Sequence, residues 1–245
     1  MRSIFADRAA IVLAAVLFLG LEALTIATSF TWPLFTVFLL FLLLGTLVAL
    51  REDLRRRGLH VAILPLAYVT SVFLFHLFVS RGLPQHLFIV GTTLGFVLLI
   101  ARATEWAYPT WTWLFTSITF FLWAAGLYGL TFHLRFPLWA TTLGIGMMTG
   151  LLTYHVVGRV EHTVRLRLFW SAILALLVLE VLIVLAFFPI TYTVVGGVLF
   201  ITFYLLLHLL QHHLYRQLTH QMITEYVSLA ALAVLLILLT AEWQV

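Results

Sequence analysis

Apolar runs of about twenty residues follow one another along nearly the whole chain, separated by short segments that hold most of the charges. A helix of that length crosses the ~30 Å hydrocarbon core of a bilayer. No water reaches the interior of a bilayer, so a run of this kind has to satisfy its backbone groups within itself, as a helix does. The windows place nine spans, at residues 9–28, 32–50, 59–79, 86–100, 112–130, 137–157, 168–188, 191–210 and 222–240. The fourth is short, and eight crossings is the alternative if it stays on one side. The expected fold is therefore all-α, a polytopic transmembrane helical bundle forming one integral membrane domain over residues 1–245. Composition agrees, because 64% hydrophobic and 9% charged residues could not solvate the surface of a soluble domain. Arg2 and Arg8 before the first run resemble the start of a signal peptide. The run is longer than a typical signal core, so an uncleaved first helix is expected.

Every basic side chain other than histidine is arginine, and there is no Lys, Asn or Cys. These absences exclude a lysine Schiff base, a P-loop lysine, N-glycosylation, a disulfide and a thiolate metal site. With the N-terminus inside, the inner segments hold Arg2, Arg8, Arg51, Arg55, Arg56, Arg57, Arg102, Arg159, Arg165, Arg167 and Arg216, and the outer segments hold Arg81 and Arg135. That bias is the positive-inside pattern, and nine spans put the Arg-free C-terminus outside. The formal charge of +4 is thus a topological signal rather than a footprint for nucleic acid, which is not an expected partner. The basic loops at 51–57 and 159–167 are expected to meet anionic lipid headgroups. Residues 106–113, rich in Trp and Tyr, read as an aromatic anchor at the membrane boundary. Pro65 is expected to kink the third span.

The runs also repeat. Pro33, Pro84, Pro137 and Pro189 stand at the starts of the even-numbered spans, at intervals of 51, 53 and 52 residues. Proline suits a first helical turn, where its missing N–H would have no partner. Gly91, Gly144 and Gly196 each follow their proline by seven residues, whereas the first unit has Leu40 there and Gly45 later. The expectation is four tandem two-helix units, about 9–50, 59–101, 112–157 and 168–210, with a closing helix at 222–240. Units of one topology are parallel repeats and carry no inverted-repeat transporter signature. Gly91 with Gly95, and Gly146 with Gly150, form G-x-x-x-G pairs that let helix backbones approach. Together with Gly144 and Gly196 they are expected to serve internal packing, with a homo-oligomer interface as the lesser reading.

Glu225 lies at the start of the last apolar run, and two other carboxylates fall deeper inside apolar runs. Glu22 in the first span and Glu180 in the seventh occupy matching places in their units. A membrane-embedded acid normally faces a bundle interior or water, so the pair marks a candidate substrate or ion site. The alternative is a protonated carboxyl tied to Thr25, Thr28, Tyr192 or Thr193. Histidines gather at the inner ends: His60, His155, His162, His208, His212, His213 and His220. His208 and His212, four apart on a helix, share a face and suit a metal, with His155 as a third candidate ligand and Glu161 or Glu225 as acidic ones. Such inner-face boxes resemble those of membrane di-iron oxidases and three-histidine zinc hydrolases, although this chain has only one box. A bis-histidine haem between His155 and His208 is a further arrangement. No motif demands a cofactor, and histidine and arginine also collect at helix C-termini for the dipole alone.

Leu179-Glu180, Phe188-Pro189, His212-His213-Leu214, Glu225-Tyr226 and Thr240-Ala241 with Trp243 resemble the C-terminal half of small uncharacterised multi-pass membrane proteins from candidate-phylum bacteria of the Patescibacteria type. The resemblance implies a bacterial cytoplasmic membrane and no particular activity. The expected function is a non-enzymatic structural or scaffold subunit of a membrane assembly. Two alternatives stand beside it: a small-solute or proton-coupled carrier using Glu22 and Glu180, and a metal-dependent membrane enzyme built on the inner-face histidines.

Overall fold

The computed structural model describes residues 4–26, 32–58, 60–102, 109–161 and 163–241. Every regular element among them is an α-helix: α1 (Ile4–Ile26), α2 (Trp32–Ala49), α3 (Arg51–Arg57), α4 (His60–His76), α5 (Leu83–Arg102), α6 (Pro109–Leu134), α7 (Leu138–Val157), α8 (Val164–Leu185), α9 (Tyr192–Leu214) and α10 (His220–Thr240). Each apolar window of the sequence falls on one helix. The short α3 was not anticipated. It has Glu52 and Asp53 in its first turn and arginines at its end, the charge order that a helix dipole favours. Gly58 closes it with φ +93° and donates its N–H to the Leu54 carbonyl.

Six helices, α1, α5, α6, α8, α9 and α10, are long and apolar enough to cross a membrane. The shorter apolar helices are α2, counted from Pro33, and α4. A chain with six such helices is an integral membrane protein. The fourth window is not short as a helix. The polar residues Gln85 and His86 belong to the first turn of α5, whose amides bond the Gly82 carbonyl, so its apolar stretch runs 18 residues from Leu83 to Ile100. Pro33 and Pro84 lie in first turns and Pro137 caps α7, while Pro189 precedes the α9 cap, Thr191. Helix α4 runs on through Pro65. Of the aromatic segment, residues 106–108 lie outside the described residues, as do Arg2, Thr28 and His162.

By packing, the chain divides into two compact units, Met1–Phe115 and Thr116–Val245. In the first, α1 packs on α2 and α5, α2 on α4, and α4 on α5. Leu17, Leu42, Val72, Phe73, Ile89 and Phe96 fill its core. Tyr68 ties α4 to α5: its hydroxyl donates to the Thr92 carbonyl at 3.0 Å, and its ring stacks on Phe96. The hydroxyl lies where a side chain on Gly95 would stand, so this glycine is needed for the contact. In the second unit α7 packs along α8, α8 on α9, and α9 on α10. Residues of α6 from 116 onward join them, with Phe120 stacked on Phe203 at 4.2 Å and the Trp123 indole N–H donating to the Gly144 carbonyl at 3.0 Å.

Many hydroxyls are handled locally, although those of Thr93, Thr116, Ser117, Thr119 and Thr153 are buried without a hydrogen-bond partner. Thr25, Thr46, Ser71, Thr92, Thr149 and Ser171 each donate to the carbonyl four residues earlier. This back-bonding lets an apolar helix carry polar residues without exposing a bare donor.

Candidate functional site

The richest polar cluster of the first unit lies where α1 ends, α4 ends and α5 begins. The tight turn after α4, closed at Gly82 (φ +103°), brings His76 and Gln85 to one place. Glu22 reaches it from the last two turns of α1. His86 Nδ1 and Glu22 Oε1 are 2.8 Å apart, with the histidine side chain 52% exposed and the carboxylate 20%. Behind this pair, His76 and Gln85 are 4% and 5% exposed. The Thr25 hydroxyl spends its proton on the Leu21 carbonyl, so its oxygen faces His76 Nε2, 3.5 Å away, as an acceptor. The Gln85 amide lies 3.4 Å from the same Nε2. His76 Nδ1 and Gln85 Oε1 are buried with no hydrogen-bond partner. An exposed imidazole and a carboxylate thus pair near the surface, and a buried imidazole lies nearby against Thr25 and Gln85.

Glu180 has different surroundings. It is exposed in the middle of an apolar face of α8, where Leu176, Leu177, Ile183 and Val184 are also exposed. It makes no hydrogen bond or ion pair among the described residues, and Tyr192 and Thr193 do not serve it. The two glutamates occupy different units, Glu22 in the first and Glu180 in the second.

At the other end of the second unit, α9 closes with Arg216 at φ +58°. The Gln217 N–H bonds the His212 carbonyl and the Arg216 N–H bonds the His213 carbonyl. This Schellman turn, followed by the Thr219 cap on Met222 N–H, sets the first turns of α10 against the last turns of α9. Tyr226 thereby meets the histidine pair. His208 Nε2 lies 3.0 Å from Tyr226 Oη and 3.4 Å from His212 Nε2. The His208 ring also stacks on Tyr204. His155 is placed elsewhere, buried in α7 with its Nε2 3.4 Å from an Arg159 guanidinium nitrogen. Among the described residues no three His, Asp or Glu side chains converge to hold a metal ion. Glu225 is engaged by Gln221 at 2.9 Å, and Glu161 accepts from the Thr163 N–H at 2.8 Å.

Next to His155, burial lowers the Arg159 guanidinium to about 10, partly offset by the Tyr215 phenol. It remains a cation at neutral pH. Arg167 lies against Gly158, donating to the Glu161 carbonyl with its guanidinium over the Tyr154 ring.

The glycines divide by surroundings. A Cβ on Gly196 would stand 2.6 Å from Ala125 Cβ and 3.0 Å from its Cα, so α9 and α6 touch backbone to backbone there. Gly144 and Gly146 face Leu127 and Leu179, whereas Gly91 and Gly150 face open space.

Sequence reasoning singled out Glu22 but missed His76, Gln85 and His86, and it missed Tyr226 beside the histidine pair. A signal was present for the first group: two histidines flank one tight turn in a segment otherwise nearly apolar. In comparison with known proteins, no family model, curated protein or solved structure matches the chain.

Proposed function

We propose that this protein is a non-enzymatic structural subunit of a membrane assembly, and that the assembly covers the Glu180 face of α8. The observation that carries this reading is the carboxylate itself. A charged group in the hydrocarbon region costs about 3 kcal/mol even on the mildest scale, and nothing among the described residues offsets it for Glu180. A neighbouring helix with a hydrogen-bond donor or an arginine would. Helix α10, none of whose residues is fully buried, adds exposed apolar surface to the same unit. In this reading the chain crosses nine times with its N-terminus inside. Six helices long and apolar enough to cross, the two shorter apolar helices α2 and α4, and the 20-residue α7 support that count, and the arginine distribution supports the orientation. The hairpins form four tandem units plus α10, supported by the proline and glycine spacing. The inner-face arginines, Arg159 among them, meet anionic headgroups. A bacterial cytoplasmic membrane is the expected location.

The test is native mass and composition after mild extraction from the source membrane. A stoichiometric complex is expected, and Glu180→Leu should shed the partner while Glu180→Gln retains part of it. A lone monomer would overturn the reading.

A second reading, a proton-coupled carrier of a small solute, is favoured by the Glu22–His86 pair with His76 and Gln85 behind it. Under it, Glu22→Gln abolishes proton-driven uptake in proteoliposomes without loss of fold. Equal uptake by the variant would remove Glu22 from any such role.

A further inference from the structure

We propose that His208, His212 and Tyr226 form a binding site for a divalent transition-metal ion of the zinc type, where α9 turns back into α10. The inference goes beyond the assembly reading and does not depend on it. It rests on two distances and on the chemistry of the atoms that approach one another. With metal–nitrogen bonds of about 2.0–2.1 Å, a tetrahedral centre holds two ligand nitrogens about 3.4 Å apart. The Nε2 atoms of His208 and His212 are 3.4 Å apart. Tyr226 Oη lies 3.0 Å from His208 Nε2, which fits an angle of about 95° at the same bond length. His208 Nε2 thus has a second imidazole nitrogen and a phenol oxygen both at separations that two ligands of one tetrahedral ion can have, which would leave a fourth position for water.

The alternative is a chain of hydrogen bonds. Two neutral imidazoles that meet through Nε2 need one of them protonated there, and 3.4 Å is long for such a bond. A metal takes the lone pairs of both rings instead. The donor set selects the ion. Two imidazoles and a phenolate suit zinc and its transition-metal neighbours, whereas calcium and magnesium demand oxygen ligands. The position is also built by the backbone. His208 and His212 are one helical turn apart, and the Schellman turn at Arg216 with the Thr219 cap fixes the return of α10 that presents Tyr226. His155, held beside Arg159, is not a ligand of this site. Both histidines are half-buried, so an ion has an approach from the surface.

The full chain in lipid nanodiscs is titrated with Co2+ and then with Zn2+. The expected result is one Co2+ per chain with the intense visible absorption of a four-coordinate ion, displaced by Zn2+. His212→Gln, which removes a ligand, should weaken binding by at least about 100-fold, the upper end of what loss of an outer-shell partner costs. Tyr226→Phe should weaken it by about tenfold and shift the Co2+ spectrum. His213→Gln and His220→Gln, on the neighbouring exposed histidines, should leave affinity and spectrum unchanged. Absence of saturable binding overturns the proposal. So does binding that survives His212→Gln but falls with His213→Gln or His220→Gln. If His212→Gln does not fold, Tyr226→Phe decides alone, and an unchanged affinity and spectrum in that variant overturn the site.

Discussion

Arg216 sits in the left-handed region that L side chains occupy at a cost of about 1–2 kcal/mol. It does so because the turn that ends α9 needs a left-handed residue at that place. Glycine would meet the same requirement without the penalty. Arg216→Gly is therefore expected to raise stability by about 1 kcal/mol, read as a higher midpoint in thermal unfolding in nanodiscs. A lower midpoint would mean that the arginine side chain contributes more than its backbone loses. The two glutamates show what single residues conceal. Glu22 and Glu180 look equivalent in sequence, each in an apolar run near the same end of its unit. One is paired with His86 and the other lies bare among leucines and valines. In a helix that is apolar all round, residue types do not mark which face meets a neighbour, so the difference could not be read in advance. His76 and His86 were hidden for another reason. Their partners, Thr25 and Glu22, are 51 and 64 residues away in the chain, and only the fold brings them together.

At the scale of elements, helix positions were legible to within a few residues, because length and hydropathy decide them in a membrane. The end of each helix followed local chemistry that windows average away. The polar pair Gln85-His86 was absorbed into α5, and the charge order of residues 51–57 produced α3. The G-x-x-x-G spacing located small residues but not contacts. In each of the two motifs one glycine faces a neighbour, Gly95 or Gly146, and the other faces open space. The same contrast gives a prediction. Gly196→Ala drives a methyl group into the backbone of α6 at Ala125, and rigid neighbours cannot yield as a flexible side chain does. A loss of about 1–3 kcal/mol is expected. Gly150→Ala meets nothing and gains helix propensity, so it should be neutral or stabilising by up to about 1 kcal/mol. Parallel unfolding curves of the two variants check both signs at once.

At the scale of the molecule, the all-helical, membrane-embedded character was evident from composition and from the spacing of charge. The division into two compact units was not, since it falls within α6, a single uninterrupted helix, at residue 115. No change in composition marks that point, and apolar helices carry no linker signal there. The assembly reading belongs to this scale as well. Each unit builds its own core, and Glu180 is an acidic side chain of the second unit for which the described residues supply no partner.

Helix α10 buries none of its residues and lies along α9. The fully buried side chains of its unit therefore all lie outside α10, which adds half-buried residues along α9. During synthesis that core can close while α10 is still inside the ribosome and the translocon. The arrival of α10 then completes only the seam along α9, where Tyr226 comes to rest against His208.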